Sequence, residues 1–592
     1  MLESSARIAH IMRMRRSLIL LLLHLVFSCS SVFAEAAASG TSNVVLSTHD
    51  SFWAVTEIHL SLADSLPNDA EPSAVVSGEF AMYFGPSESP VPIFDGKGMT
   101  MWGRVTLENP RDVPLAVNAL IRYAFFERID WFWRDPDGGL RTQAMGQQVP
   151  ATSHAPPGRF PLVELLIDPG ETRDLYFRVR SDTLVVMPLR IYERGRWVAS
   201  ETLDFLVLGV FIGCLFTMFL VGSLFYMTFR RAAFLWFSAY CLVSIAYSAY
   251  SSGIGKVYLW PTATFPLLQP LWLIMGIGLI INVLFVATFM GTRQHAPRYH
   301  RLLVSIAAVS CLVFFNSVLP DWLSGLVFVI ATGLGPLAIL SGALVLWLRG
   351  VSGAGLIAIS WIPYQLGLMW AYLRSFDLVP YFDGNHYTMP LTSTLTALAF
   401  MWALHRQSSK AEHEATHDQL TNLPNRTLFD RQISRPNQQS GRSVGVMQVD
   451  LDGFKGINDN HGHAAGDFVL QIVADRLRNV CGSNADAFRT GGDEFIVLCH
   501  RRTRKEDVEA LANSIVDAVS KSIDYQGDVL TVGASVGVAY PLEARDSILS
   551  AIDEADAALY EAKARGKGQV ATAASFGEPV FNRRSTDRGS AS

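Results

Sequence analysis

Between residues 205 and 404 the chain carries seven apolar runs, 205–229, 232–254, 268–290, 302–319, 323–348, 353–373 and 386–404. Each is about as long as the ~20 residues a helix needs to cross the hydrocarbon core of a bilayer. A backbone in lipid must satisfy its own polar groups, so runs of this length predict seven transmembrane helices. They divide the 592 residues into a part before the membrane, a seven-helix bundle and a part after it. They also explain a composition that is 50% hydrophobic and only 17% charged, too apolar for a wholly water-soluble protein.

The basic residues predict an orientation. One set of connecting segments holds Arg230, Arg231, Arg293, Arg298, Arg301, Arg349, Arg406 and Lys410, and the other holds Lys256 and Arg374. An excess of Lys and Arg marks the cytoplasmic side, which places the N-terminal part outside and the C-terminal part inside. The N-terminus gives the same answer. Arg13, Arg15 and Arg16 precede the apolar "LILLLLHLVF" (18–27) and the small residues of "VFAEAAA". This reads as a secretory signal peptide over 1–34, cleaved after Ala34. Lipidation at Cys29 competes with cleavage, with Phe27 an awkward neighbour, and an uncleaved anchor is the third reading. An exported N-terminus followed by an odd number of spans requires a cytoplasmic C-terminus.

Composition excludes several classes. A net charge of −5 leaves no electrostatic footprint for nucleic acid. None of the six cysteines falls between residues 35 and 203, so no disulfide framework holds that region. The apolar runs contain no lysine, which a retinal Schiff base would need. Their interiors also lack the acidic residues that pumps and transporters use. Transmission of a signal is the reading left for the bundle, with Pro336 and Pro363 as expected kinks.

Residues 35–203 alternate apolar and polar positions in "RVTLENP" (104–110), "ERIDWFWRDPDGGL" (127–140) and "IDPGETRDLYFRVRS" (167–181), broken by turn residues. The pattern predicts an all-β sandwich domain. Trp131 and Trp133 share a face with Ile129; such a stripe is more often core than a sugar platform. After the last run, 405–417 is polar and helix-compatible, a helical linker continuing the final span. Residues 418–570 then mix strands and helices in one α/β domain, with strands at 495–500 and 529–540 and helices at 504–520 and 548–568. The segment 443–480 reads as strand, loop and amphipathic helix, and 571–592 lacks periodicity and reads as a disordered tail.

Within the α/β domain "FRTGGDEFIVL" (488–498) sets Gly491-Gly492 and two carboxylates, Asp493 and Glu494, between β-like segments. Two glycines predict a hairpin, and a turn with acidic residues is ordinarily just solvated. Two further blocks change that reading. "DQLTNLPNR" (418–426) and "DLDGFKGINDNHGHAAGD" (450–467), followed by "GGDEF", resemble in order and spacing the signatures of the GGDEF family of diguanylate cyclases. The architecture over about 45–405 resembles bacterial seven-transmembrane receptors with diverse intracellular signalling modules. Their extracellular jelly-roll is similar to carbohydrate-binding modules, which implies an external ligand of carbohydrate-like kind.

The resemblance implies condensation of two GTP molecules into cyclic di-GMP, on Mg²⁺ or Mn²⁺. Asp450, Asp493 and the Leu451 carbonyl match the family's metal ligands. Glu494 matches the position that helps bind metal or deprotonates the attacking hydroxyl. Asn458 and Asp467 match the guanine-reading positions; a carboxylate accepts from two adjacent N–H groups of guanine that adenine does not offer. Lys455, Lys563 and Lys567 match phosphate-contacting positions. Lys563 and Lys567 are four apart and share a helical face unless Gly566 ends the helix first. At Lys567 the family commonly has Arg, so bidentate contact is lost there. One GTP per domain implies a homodimer. The alternative is a catalytically inactive GGDEF receptor acting through nucleotide binding and protein contacts, although no acid or glycine of the motif is missing. The family's product-inhibition signature, R-x-x-D, would fall on Gly482 and Ala485, with Asp486 one residue late and Arg478 displaced.

Overall fold

The computed structural model describes residues 43–573, apart from 47–49, 51, 55–59, 64–65, 68–69, 88, 90, 96–99, 125, 155–157, 182–183, 265–267, 316–318, 377, 380, 435–444, 501–504 and 541–547. The signal-peptide segment with Cys29, and residues 574–592 of the expected tail, lie outside the described residues. The chain falls into two compact units that meet between His405 and Arg406.

In the N-terminal unit the three alternating segments become Thr100–Glu108, Arg128–Arg134 and Thr172–Arg180. Thr172–Arg180 pairs antiparallel with the other two at the centre of a seven-stranded sheet. A four-stranded sheet runs Leu162–Ile167, Leu115–Ile121, Leu189–Glu193 and Phe52–Ala54. Period-two alternation points Val105, Leu175 and Phe177 of one sheet and Val117, Val163 and Ile191 of the other into a shared core. Trp131 is fully buried there with Trp133 packed against it, so the aromatic stripe is core. The larger sheet's other face is partly covered: Val75 of the short helix Pro72–Val76 packs with Trp102, Phe132 and Tyr176.

Six helices among the described residues are long and apolar enough to cross a membrane: Arg194–Phe229, Ala232–Ser251, Pro270–Phe289, Pro297–Phe315, Trp322–Leu348 and Ala354–Arg374. The seventh expected run falls in the first half of helix Thr388–Thr416, where Thr388, Thr392, Ser393, Thr394 and Thr396 dilute its apolarity. The fifth span contains a π-helical turn, Ile330–Leu334, just before Pro336, and Pro363 sits inside Ala354–Ser375. A buried polar cluster ties the sheets to the helices. Asp204 of Arg194–Phe229 accepts from Arg122 at 2.6 Å and also from Arg159 and Tyr387. Arg159 is further paired with Glu201 at 2.8 Å.

The C-terminal unit has a five-stranded mixed sheet ordered Ala485–Gly491, Glu494–Cys499, Val446–Asp452, Gly533–Ala539 and Val570–Thr572, the last pair parallel. Helix Ile548–Ala564 packs so closely on this sheet that a methyl on Gly537 would collide with the helix backbone at Ala555 and Leu559.

Several expectations are corrected here. The strand expected over 529–540 is two pieces: Asp528–Leu530 turns back onto Ile523–Tyr525 through Gln526 and Gly527, both with positive φ, and only Gly533–Ala539 joins the main sheet. The loop inside 443–480 is largely a helix, Phe454–His461, started at Gly453 and separated from His463–Cys481 by Gly462, both with positive φ. The last helix stops at Ala564, and Gly566 at φ +118° prevents its continuation. Ala571 and Thr572, assigned to the tail, instead belong to the edge strand.

Candidate active site

Val446–Asp452 alternates buried and half-buried residues because one face lies on the core; Val449 and Leu451 point inward and Asp450 outward. Asp450 stands opposite Glu494 across one strand pair and opposite Ser535 across the other. The Gly491–Glu494 turn folds over the same end of the sheet, where the Leu451 N–H donates to the Asp493 carbonyl at 3.3 Å. Gly492 takes φ +50°, and a Cβ at either glycine would meet nothing within 4 Å, so the outer side of the turn is open. Asp450, Leu451, Asp493 and Glu494 are thereby brought to one place.

Lys563 joins them. Its ammonium lies 2.7 Å from an Asp450 carboxylate oxygen, with Asp450 largely buried. Lys567 does not share that face: it lies beyond the end of the helix, exposed, with φ +66°. Asp452 holds this post-helical turn. Its carboxylate accepts from the Gly568 N–H at 2.9 Å and the Ser535 hydroxyl at 2.7 Å.

Asn458 and Asp467 sit on the two consecutive helices after Val446–Asp452. The Asn458 side chain lies against Gly466, where any side chain would collide with it, and Asp467 follows with its carboxylate exposed. Lys455 is exposed on the shorter helix.

Two residues the sequence reading did not single out brace the hairpin. Arg489 donates to the Gly492 carbonyl at 3.1 and 2.8 Å and to Asp418 at 2.8 Å. Asp418 also caps the tight 418–421 turn, accepting from the Thr421 N–H and hydroxyl. Burial acts to raise the Asp418 pKa, but the hydrogen bonds from Thr421 and Arg489 outweigh it and hold the carboxyl below its usual range. Asp418 stands inside a recognised block; its partner, 71 residues away, carries no local signal.

The donor set suits a hard divalent cation. Two carboxylates and backbone carbonyls gather beside a turn whose missing side chains leave room for a ligand, and a lysine supplies charge for phosphate.

Three segments of the chain match known protein families. Residues 415–569 match the family model described as diguanylate cyclase, GGDEF domain. Residues 204–407 match 7TM diverse intracellular signalling, and 65–193 match 7TMR-DISM extracellular 2. Diguanylate cyclase VdcA of Vibrio cholerae is 34% identical over 192 residues, 32% of this chain and 56% of its own length. An uncharacterised 19.3 kDa protein of Streptomyces ambofaciens is 35% identical over 181 residues, 30% of this chain and 95% of its own. The solved coiled coil and GGDEF domain of DgcB from Caulobacter crescentus, in complex with c-di-GMP, is 29% identical. It covers 30% of this chain and 95% of its own, with a TM-score of 0.28. The chain thus spans about half the length of the Vibrio cyclase it matches.

Proposed function

The chain belongs to the GGDEF family, joined to a seven-transmembrane receptor of the diverse-intracellular-signalling type, and from that membership we propose a membrane-bound sensor diguanylate cyclase. It condenses two GTP into cyclic di-GMP and pyrophosphate under control of an external signal. The observation that carries this reading is the convergence of Asp450, Asp493, Glu494 and Lys563 around an open glycine turn.

Each protomer binds one GTP. Asn458 and Asp467 take the guanine edge, the carboxylate accepting from its two adjacent N–H groups. Lys455 and Lys563 neutralise phosphate oxygens, with Lys567 as a further cation at the mouth of the site. Asp450, Asp493 and the Leu451 carbonyl would hold Mg²⁺ or Mn²⁺. When bound, the ion offsets phosphate charge and polarises the α-phosphorus. Glu494 receives the proton of the 3′-hydroxyl, whose oxygen attacks the α-phosphorus of the facing GTP as pyrophosphate leaves. Two attacks close the ring, so two domains must face each other in a homodimer, and positioning supplies much of the rate.

The orientation implied by the basic loops puts the sandwich, a jelly-roll in this reading, in the periplasm after signal-peptide removal. The cyclase domain, 418–570, is then in the cytoplasm, with seven helices crossing the inner membrane. Purified protein given GTP and Mg²⁺ should release cyclic di-GMP and pyrophosphate. Nucleotide binding without product would favour the inactive-receptor alternative.

A further inference from the structure

The larger N-terminal sheet puts three arginines together on its outer face. Strand register sets Arg180 directly opposite Arg128, and Arg178 opposite Asp130 one step along. Like charges directly opposite on paired strands destabilise a sheet, so such a pair needs compensation. Asp130 supplies only part of it. Its carboxylate accepts from Arg128 Nε at 2.8 Å and from Arg178 Nε and Nη2 at 3.2 and 2.8 Å. The Arg180 guanidinium makes no hydrogen bond or ion pair among the described residues. Partial burial and the neighbouring Arg178 and Arg128 charges hold its pKa below the usual arginine value.

Two of the three arginines are held in place. Arg178 lies 5.3 and 5.4 Å from the Trp102 and Phe132 ring centroids, and its side chain is only 12% exposed. Arg128 is held through Nε by Asp130, and its side chain is 42% exposed. Two held guanidiniums share one buried carboxylate and a third, Arg180, stands beside them without an anionic partner among the described residues, in a chain whose net charge is −5. Arginine forks pair with planar or tetrahedral oxyanions through charge-assisted, often bidentate hydrogen bonds.

We infer that Arg128, Arg178 and Arg180 form a binding site for a ligand bearing a carboxylate, sulfate or phosphate group. The inference rests on the sensory role proposed for this unit and names the chemical class of its signal.

The test is thermal unfolding of the full-length protein in detergent micelles, followed by tryptophan fluorescence. Sodium phosphate, sulfate and citrate are each compared with sodium chloride at equal ionic strength. At least one anion should raise the midpoint in a saturable manner. Arg180→Gln and Arg128→Gln should each raise the half-saturating concentration about tenfold, the scale of one lost charge-assisted contact. In chloride alone Arg180→Gln should melt no lower than wild type, because repulsion is relieved. Saturation by citrate alone identifies a carboxylate ligand; saturation by phosphate or sulfate identifies an inorganic or ester oxyanion. Equal responses of wild type and both variants, or no anion acting beyond chloride, would overturn the site. Binding is read without GTP turnover, so an inactive cyclase leaves the result standing.

Discussion

Removing the Asp493 carboxylate takes an oxygen donor from an open turn on which little else of the domain leans. Asp493→Ala should therefore lower cyclic di-GMP formation by about two orders of magnitude or more. Stability should change by no more than about 0.5 kcal/mol, as for surface changes elsewhere. Turnover and thermal midpoint measured on one preparation check both halves, and full activity would remove Asp493 from the metal site. Gly466 makes a subtler point. Gly466→Ala leaves its helix intact but drives a methyl into Asn458. The KM for GTP should rise about tenfold, one hydrogen-bonding partner's worth, with kcat falling less. Asp467→Ala should instead erode preference for GTP over ATP. The residue types proposed to touch nucleotide were chosen from sequence because phosphate, metal and guanine each demand a particular donor set. Gly466 was quoted within a block, yet its reason, room for Asn458, exists only once two helices are folded together.

The hairpin is an element held from outside itself. Arg489 bridges the Gly492 carbonyl and Asp418, so Arg489→Gln should lower kcat and cost about 1–3 kcal/mol through the polar groups it leaves unpaired. The Asp418 end of this clamp has a defined pH dependence. A folded-state pKa below the unfolded value of about 3.9 contributes stability above that pH, which is lost as pH falls through the lower folded value. The melting difference between wild type and Asp418→Asn should be constant from pH 7 to 5 and shrink below about 4. A second element, the start of strand Ala485–Gly491, bears on feedback. Asp486 is engaged by His500 at 3.1 Å and Gln432 at 3.2 Å, and Arg478 by Asp475 and the Thr421 carbonyl. With glycine and alanine at the signature positions, cyclic di-GMP titrated into the reaction should inhibit weakly. Strong inhibition abolished by mutating 482–486 would refute this. At this scale alternation and amphipathicity located Val446–Asp452, Glu494–Cys499 and Lys505–Val519 well. They missed the hairpin turn at Gln526-Gly527 and the helix end before Gly566, both set by positive φ that side-chain periodicity does not report.

Across the whole molecule, the apolar runs and the three motif blocks made the order of parts legible, while the contacts joining sandwich to helices were not. Arg122, Arg159, Asp204 and Tyr387 are far apart in sequence, and each alone reads as an ordinary surface residue. Folded together they form a buried charge cluster linking the β-sheets, the first long helix and the start of Thr388–Thr416. That last helix runs unbroken to Thr416, where the Asn425 N–H takes its carbonyl and the Arg489 N–H takes that of Pro424. Asp204 is 2% exposed, and deleting one member of a buried ionic group leaves the others uncompensated, at a cost of roughly 3–5 kcal/mol. Asp204→Ala removes the carboxylate that Arg122 and Arg159 share, leaving Arg159 its Glu201 pair, and Asp204→Asn keeps an acceptor but not the charge. Because the chain falls into two compact units, calorimetry of the full-length protein should resolve two transitions. A GTP analogue with Mg²⁺ should raise only the C-terminal one. Asp204→Ala should lower the N-terminal transition by several degrees, Asp204→Asn by less, and neither should move the GTP-responsive transition. If the GTP-responsive transition fell in step with the other, the two units would unfold as one body. An unchanged N-terminal transition in both variants would mean that Asp204 does not bear the junction.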